Sequence, residues 1–297
     1  MKVAVIGATG QLGMDVADEF VRNGGQVCRF SHAEIEISSL SHVREVLLEA
    51  KSELIVNTAA MHRVESCEQE PSKAYAVNAI GARNLALVAR DLGAVLIHIS
   101  TDYVFDGSKK APYLESDPAL PLNVYGNTKL AGELFVQATT NKYFILRTSA
   151  LYGKNPCRAK GGLNFVELML KLAVERDELR VVNDEVVSPT STAELAKQIV
   201  VLSGTENFGI YHATAEGSCS WFDFAAKIFE IADVRTNLVV AGLNEFPAKV
   251  PRPKYSVLEN YGLKKLGLNS FGSWEDGLRC YLAPTHFTDR AKVSAAS

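Results

Sequence analysis

Short, nearly all-apolar runs alternate with segments of helical periodicity through the first half of the chain. The runs are KVAVI, QVCRF, ELIVN, AVLIHIS and KYFILRT. Strands that are apolar on both faces are typical of a parallel sheet with helices packed on each side, because such strands are buried on both faces. The alternation therefore predicts the α/β class, as a Rossmann-type doubly wound parallel sheet.

The regular alternation weakens in the second half, which suggests a smaller second lobe. We predict that residues 1–150 form an NAD(P)-binding Rossmann core and that 165–210 add to it. Residues 211–283, with the polar, glycine-bearing loop 151–164, are predicted to form a C-terminal substrate-binding lobe. The final segment, 284–297, is small and polar, and we expect a disordered tail.

Composition excludes several classes of protein. The net charge is −3 and no basic block is present, so nucleic acid and anionic membranes are not expected partners. No apolar run reaches the ~18 residues of a membrane span, and the N-terminal stretch is too short and glycine-rich for a signal peptide. The five cysteines are scattered and the histidines lack metal-ligand spacing. We expect a cytoplasmic protein with reduced thiols, and we place no metal site.

A glycine-rich turn, GATGQLG, connects the first strand to the first helix. The first glycine permits a tight turn, and the next lets the backbone approach a pyrophosphate held at the helix N-terminus. The alternative is a flexible strand–helix turn, but its place within an N-terminal strand–helix–strand unit favours dinucleotide binding. The residues predicted to contact the cofactor here are Gly7, Thr9, Gly10, Gln11, Leu12 and Gly13.

The end of the second strand usually distinguishes NAD from NADP. An acid there binds the ribose 2′-hydroxyl, whereas a cation accommodates a 2′-phosphate. Arg29 and Ser31 occupy these positions. They favour NADPH, with NADH as the alternative cofactor, and Arg29 could instead be a solvated surface residue.

Polar residues that could perform acid–base chemistry follow the fourth strand. Ser100, Thr101 and Asp102 end that strand, where the carboxyl ends of parallel strands border the ligand crevice. Tyr125 and Lys129 share one face of the next helix. A nearby ammonium would lower the pKa of the phenol and could also bind a nicotinamide ribose.

Spacing alone does not single out this pair, because Tyr261 and Lys265 repeat it. The second pair follows a proline-rich segment and lies on no evident strand–helix crossover. We therefore interpret Tyr261 and Lys265 as structural.

Several motifs in order resemble a known family. They are GATGQLG, NTAAMHRVESCE, VNAIGARNLA, HISTDYVFDG, PLNVYGNTKLAGE and ILRTSALYG. Together they resemble the extended short-chain dehydrogenase/reductases and, more narrowly, the dTDP-4-dehydrorhamnose reductase family. The resemblance covers nearly the whole chain.

This resemblance implies a reaction and roles for particular residues. Hydride would pass from NADPH to C4 of a nucleotide-linked 4-keto-6-deoxy sugar. Tyr125 would donate the proton, Lys129 would position the ribose, and Thr101 would polarise the carbonyl. Further residues implied on the cofactor side are Ala59, Ala60, His62, Asn78 and Ser100. Further residues implied on the substrate side are Asp102, Tyr103, Ala150 and Arg252.

Departures from the family pattern leave alternatives open. Many members have Trp where this chain has Ala150, so the sugar could differ. The superfamily also includes a regulatory subunit of methionine adenosyltransferase that retains the fold and a Tyr-x-x-x-Lys. A non-catalytic, NADP-binding subunit is therefore the alternative function. A homodimer is a candidate assembly.

Overall fold

The computed structural model describes residues 1–157, 162–242, 245 and 249–283. Its strands are β1 (Lys2–Ile6), β2 (Gln26–Phe30), β3 (Leu54–Asn57), β4 (Val95–Thr101), β5 (Tyr143–Thr148), β6 (Leu151–Tyr152), β7 (Glu178–Val181), β8 (Val186–Val187), β9 (Thr190–Ser191), β10 (Gly209–His212), β11 (Cys219–Ser220) and β12 (Asn237–Val240). Its α-helices are α1 (Gln11–Arg22), α2 (Leu40–Ala50), α3 (Val64–Gln69), α4 (Pro71–Tyr75), α5 (Gly81–Leu92), α6 (Val124–Thr139), α7 (Phe165–Glu175), α8 (Thr192–Ser203), α9 (Trp221–Ala232), α10 (Tyr261–Lys265) and α11 (Trp274–Leu282). A π-helical turn covers Ala76–Ile80 and a 3₁₀ turn covers Asp102–Val104.

Six parallel strands form the central sheet, in the order β2–β1–β3–β4–β5–β10. Alternate residues of β1 face opposite layers. Val3 and Val5 pack with α1 and α8, whereas Ala4 and Ile6 pack with α2 and α5. Because helices cover both faces, the strands are apolar on both faces. The predicted α/β doubly wound class is confirmed.

The division between the lobes differs from the predicted boundaries. Val166 of α7 packs with Phe224 and Trp274, in the smaller lobe, whereas α8 packs on the main sheet. The assignment of 165–210 to the core is therefore wrong for α7. The assignment of 211–283 to the lobe is wrong at its start, because β10 is the sixth strand of the main sheet, with Ile210 beside Ile145. An amphipathic helix or a short strand does not specify its partner, so sequence order misassigned both.

The strand order defines where a ligand can bind. β1 lies between β2 and β3 in the sheet. The connection that leaves β1 leads outward to β2, whereas the one that leaves β3 leads in the opposite direction to β4, so the strand order reverses between β1 and β3. A crevice forms at the carboxyl ends of strands at such a switch point. The glycine turn after β1 and the segment after β3 border it.

Two further predictions concern the C-terminal tail with loop 151–164 and the absence of a membrane span. The predicted tail, 284–297, lies outside the described residues, as does part of loop 151–164. Among the helices that the structure describes, we find none with the length and apolar character needed to cross a bilayer.

Candidate active site

The glycine turn after β1 is shaped by contacts that exclude side chains at two positions. Gly7 has φ of +79°, and a Cβ there would lie 2.9 Å from the backbone nitrogen of Ala59. A Cβ at Gly13 would lie 2.2 Å from the carbonyl oxygen of Gly7. At Gly10 a Cβ would lie 3.2 Å from the carbonyl oxygen of Gly7, which is still a tight contact. The turn therefore packs closely on itself and against the segment after β3.

The N-terminus of α1 is suited to an anion. Its N-cap is Gly10, and no side chain caps the helix there. Uncapped backbone N–H groups and the helix dipole favour a phosphate group. The side chain of Gln11 donates instead to the carbonyl oxygens of Gly153 and Asn155, at 3.3 and 3.0 Å. The side chain of Leu12 is in the core, so the groups that Gln11 and Leu12 leave facing the crevice are those of the backbone.

Arg29 and Ser31 each have an acidic partner at the end of β2. Arg29 donates to Asp18 at 2.8 Å and remains about half exposed. The backbone N–H and hydroxyl of Ser31 donate to Glu34, at 2.8 and 2.7 Å. These bonds lower the pKa of Glu34. Glu34 is an acid near the end of β2 that sequence reasoning missed, because it lies three residues after Ser31.

A buried hydroxyl cluster surrounds Asp102 at the end of β4. The hydroxyls of Thr101 and Ser149 donate to its two carboxylate oxygens, at 3.0 and 2.8 Å. Burial raises the pKa of Asp102, and the hydrogen bonds from the Ser149 and Thr101 hydroxyls oppose this shift. Because the proton of Thr101 points to Asp102, its oxygen accepts, including from the backbone N–H of Tyr103 at 3.2 Å.

Tyr125 lies in the first turn of α6, beside Thr101. The Asn123 side chain caps this helix by accepting from the Gly126 N–H at 2.9 Å. The ring of Tyr125 packs edge-on against that of Tyr103, with centroids 5.8 Å apart. Burial raises the pKa of Tyr125, and its hydrogen bond with Thr101 only partly opposes this. The phenol is therefore protonated at neutral pH and is an acid.

The ammonium of Lys129 has other partners than the phenol. Lys129 is 2% exposed, and its Nζ donates to the carbonyl oxygen of Ile99 at 2.6 Å and lies 3.3 Å from Nε2 of His98. Burial lowers the pKa of Lys129 to about 8, with Glu133 opposing. Lys129 is not among the groups that shift the pKa of Tyr125. The predicted lowering of the phenol's pKa by Lys129 is therefore not seen in this structure.

The second Tyr–Lys pair lies on the surface. Tyr261 in α10 is 53% exposed. The neighbouring Lys264, rather than Lys265, pairs with Glu216 and Glu259. This placement agrees with the structural interpretation of Tyr261 and Lys265.

Two predicted cofactor residues make buried hydrogen bonds within the protein. The hydroxyl of Ser100 donates to buried Glu133 at 2.5 Å. Asn78, in the π-helical turn, exchanges hydrogen bonds with the backbone of Met61 and donates to Thr128. Asn78 thus ties the segment containing Ala59, Ala60 and His62 to α6, and its own polar atoms are occupied.

Arg252, predicted as a substrate contact, lies near Tyr103. Its Nη2 pairs with Glu65 at 2.5 Å, and its buried Nε has no protein partner. Tyr103, Glu65 and Glu185 all stabilise the guanidinium. One donor of Arg252 is therefore available for a ligand oxygen.

Comparison with known proteins identifies the family. The family model for the RmlD substrate binding domain matches residues 1–287. The spore coat polysaccharide biosynthesis protein SpsK of Bacillus subtilis is 40% identical, with 95% of this chain and 96% of SpsK covered. The dTDP-4-dehydrorhamnose reductase of Streptomyces griseus is 39% identical, with 92% and 90% covered. The chain belongs to the dTDP-4-dehydrorhamnose reductase family.

A solved structure of a dTDP-4-dehydrorhamnose reductase has a closely similar fold. The crystal structure of the Bacillus anthracis reductase in complex with NADP superimposes with a TM-score of 0.90, at 41% identity. It covers 94% of this chain and 98% of that one. The family predicted from the motifs is confirmed.

The residue that follows β5 and Ser149 has an unusual backbone conformation. Ala150, predicted as a substrate contact, has a left-handed backbone with φ of +45°. Non-glycine residues rarely adopt this conformation, and such strain concentrates at functional sites. Its carbonyl accepts from the N–H of Thr190 at 3.3 Å, which joins the segment after β5 to the smaller lobe. Ala150 therefore lies where the two lobes meet.

Proposed function

We propose that this chain catalyses the NADPH-dependent reduction of the C4 keto group of a nucleotide-linked 4-keto-6-deoxy sugar. The specific reaction is dTDP-4-dehydro-L-rhamnose to dTDP-L-rhamnose. The chain is an oxidoreductase, in line with its family, and its cofactor is NADP(H). The observation that carries the proposal is the protonated phenol of Tyr125 beside Thr101, on the sheet edge that carries the glycine turn.

The residues present fit this cofactor. The N-terminus of α1, where Gly10 is the N-cap and no side chain caps the helix, would hold a pyrophosphate. Arg29 would bind a 2′-phosphate. When bound, NADPH supplies the hydride.

The protein residues divide the remaining work of the reaction. Tyr125 donates its proton to the carbonyl oxygen as the alcohol forms, which is general acid catalysis. Thr101 orients the phenol, and its hydroxyl can turn from Asp102 to polarise the carbonyl. Lys129 binds the ribose from the same face of α6.

Arg252 is proposed to bind the substrate diphosphate. A guanidinium suits phosphate oxygens, and its buried Nε lacks a protein partner. A diphosphate here would compete with Glu65 for Nη2. Tyr103, packed on Tyr125, would contact the sugar.

The deciding experiment follows the absorbance of NADPH with purified protein and dTDP-4-dehydro-L-rhamnose. We expect turnover that depends on both. Tight NADP(H) binding without turnover of this or related 4-keto sugars would contradict the reductase and support the regulatory-subunit alternative.

A reductase of a related nucleotide sugar is the second candidate. One observation favours it: the 40% identical SpsK is named for spore coat polysaccharide biosynthesis. The Trp that the family resemblance leads us to expect at position 150 is replaced by Ala in this sequence. The test is a panel of nucleotide-linked 4-keto-6-deoxy sugars that differ in base and stereochemistry. A higher kcat/KM for another member would replace dTDP-4-dehydro-L-rhamnose as the substrate.

We expect Arg29→Ala to reduce the preference for NADPH over NADH. Loss of charge-assisted bonds to a 2′-phosphate should raise KM for NADPH about tenfold or more, with little change for NADH. Steady-state kinetics with both cofactors measure this. Arg44→Ala, at an exposed ion pair with Asp91, is the control. An unchanged ratio would show that Arg29 is only a surface residue.

A further inference from the structure

A buried hydrogen-bonded chain leads from the segment after β3 to Lys129. The backbone N–H of Ala59 donates to Oδ1 of Asn57 at 3.1 Å. The other amide atom of Asn57, Nδ2, lies 3.0 Å from Nδ1 of His98. Nε2 of His98 lies 3.3 Å from Nζ of Lys129, which donates to the carbonyl oxygen of Ile99.

The backbone N–H of Ala59 determines which atoms donate and which accept along this series of hydrogen bonds. Because the N–H of Ala59 needs an acceptor, Oδ1 of Asn57 must face it and Nδ2 must face His98. An amide nitrogen only donates, so Nδ1 of His98 accepts and its proton is on Nε2. That proton points at Nζ of Lys129.

The direction of this proton distinguishes two forms of Lys129. An ammonium has no lone pair, so its N–H groups would oppose the Nε2–H of His98. An amine accepts that proton and still donates to Ile99. Every donor in this series of hydrogen bonds therefore has an acceptor only when Lys129 is an amine.

We propose that Asn57 and His98 are positioning residues that poise Lys129 between ammonium and amine, through the Nε2–H that His98 directs at the amine lone pair. The catalytic consequence rests on the proposed reductase function. The tautomer itself does not.

Charges around Lys129 do not reverse this inference. On its own helix, Glu133 favours the ammonium, but Arg147 of β5 binds Glu133 with two nitrogens. Tyr125 is protonated. Cys67 of α3 faces Tyr125, and burial raises the pKa of its thiol to about 11, so it is neutral.

Burial acts in the same direction as the hydrogen bond. His98 is 1% exposed, and burial and Lys129 lower its pKa well below its usual value, so the imidazole stays neutral. Burial also lowers the pKa of Lys129 to about 8. Two separate features thus favour the amine.

A poised Lys129 would serve the proton balance of the reduction. Each turnover removes one proton from Tyr125. A group that changes between ammonium and amine near neutral pH can release one proton in each turnover, as an N–H bond of the Lys129 ammonium breaks. The amine then accepts a hydrogen bond from the Nε2–H of His98 until a hydronium ion from the solvent protonates it again.

Nitrogen NMR of the intact protein tests the tautomer without substrate. The protein is labelled with ¹⁵N-histidine and saturated with NADP⁺, and His98 is assigned from the signals absent in His98→Gln. We expect an unprotonated Nδ1 and a protonated Nε2 at neutral pH. A proton on Nδ1, or an imidazolium, would overturn the proposal whether or not the protein reduces any sugar.

The pH profile of kcat tests the effect on Lys129. In His98→Phe the donor is lost, so the ammonium persists to higher pH and the basic limb should move up by about one unit. In His98→Gln, Asn57 orients the new amide so that its NH₂ group still faces Lys129, and the limb should stay near that of the wild type. NADP⁺ binding verifies that both variants fold. An unmoved limb in His98→Phe, or equal shifts in both, would reject the positioning role.

Discussion

Tyr125→Phe should reduce kcat/KM by about 10²–10⁴-fold, the usual contribution of a positioned general acid. Only the hydroxyl of the side chain is removed, and the ring can keep its edge-on contact with Tyr103. NADPH affinity should stay within severalfold of wild type, because the glycine turn is untouched. NADPH oxidation and fluorescence titration of the cofactor measure the two quantities.

Tyr261→Phe is the matched control for this prediction. It removes the same hydroxyl from the other Tyr-x-x-x-Lys pair, on an exposed helix. Its kcat/KM should be nearly unchanged. If Tyr125→Phe kept near wild-type rates, the acid would have to be another group, and the proposed mechanism would fail.

The location of the site was predictable because its signals are local. Alternating apolar runs fix the sheet, and the carboxyl edge of β4 precedes the helix that carries Tyr125. The need for glycine at Gly7 and Gly13 follows from local geometry, since a Cβ at either would collide with the backbone. These features need only neighbouring residues and the period of a strand or helix.

Partners distant in sequence were not predictable from the same signals. His98 meets Lys129 across 31 positions, and Ser100 meets Glu133 across 33. The sequence shows that a hydroxyl or imidazole lies at the end of a strand, but it does not show which way the side chain points. Tertiary packing therefore decided that Ser100 faces a buried ion pair and that Lys129 has partners other than Tyr125.

The buried ion pair also supports α6, the helix that carries Tyr125 and Lys129. Arg147 of β5 and Glu133 of α6 are 5% and 0% exposed, with Nη2 2.7 Å from Oε2. Ser100 of β4 adds its hydroxyl to the same carboxylate. The cluster thus joins α6 to two central strands, one turn beyond Lys129.

Arg147→Met should lower the free energy of unfolding by about 3–5 kcal/mol, because it leaves Glu133 buried without its counter-charge. The corresponding fall in Tm is on the order of 10 °C, measured by thermal denaturation. Arg44→Met, at the exposed pair with Asp91, should cost at most about 1 kcal/mol.

Replacing the whole cluster separates the charge from the packing. In Ser100→Ala/Glu133→Leu/Arg147→Met neither charge of this cluster remains, so most of the stability lost in Arg147→Met should return. If Arg147→Met alone were as stable as wild type, water or a rearranged side chain must reach Glu133. If the triple variant were as unstable as the single one, α6 would depend on the geometry of the ion pair rather than on its neutralisation.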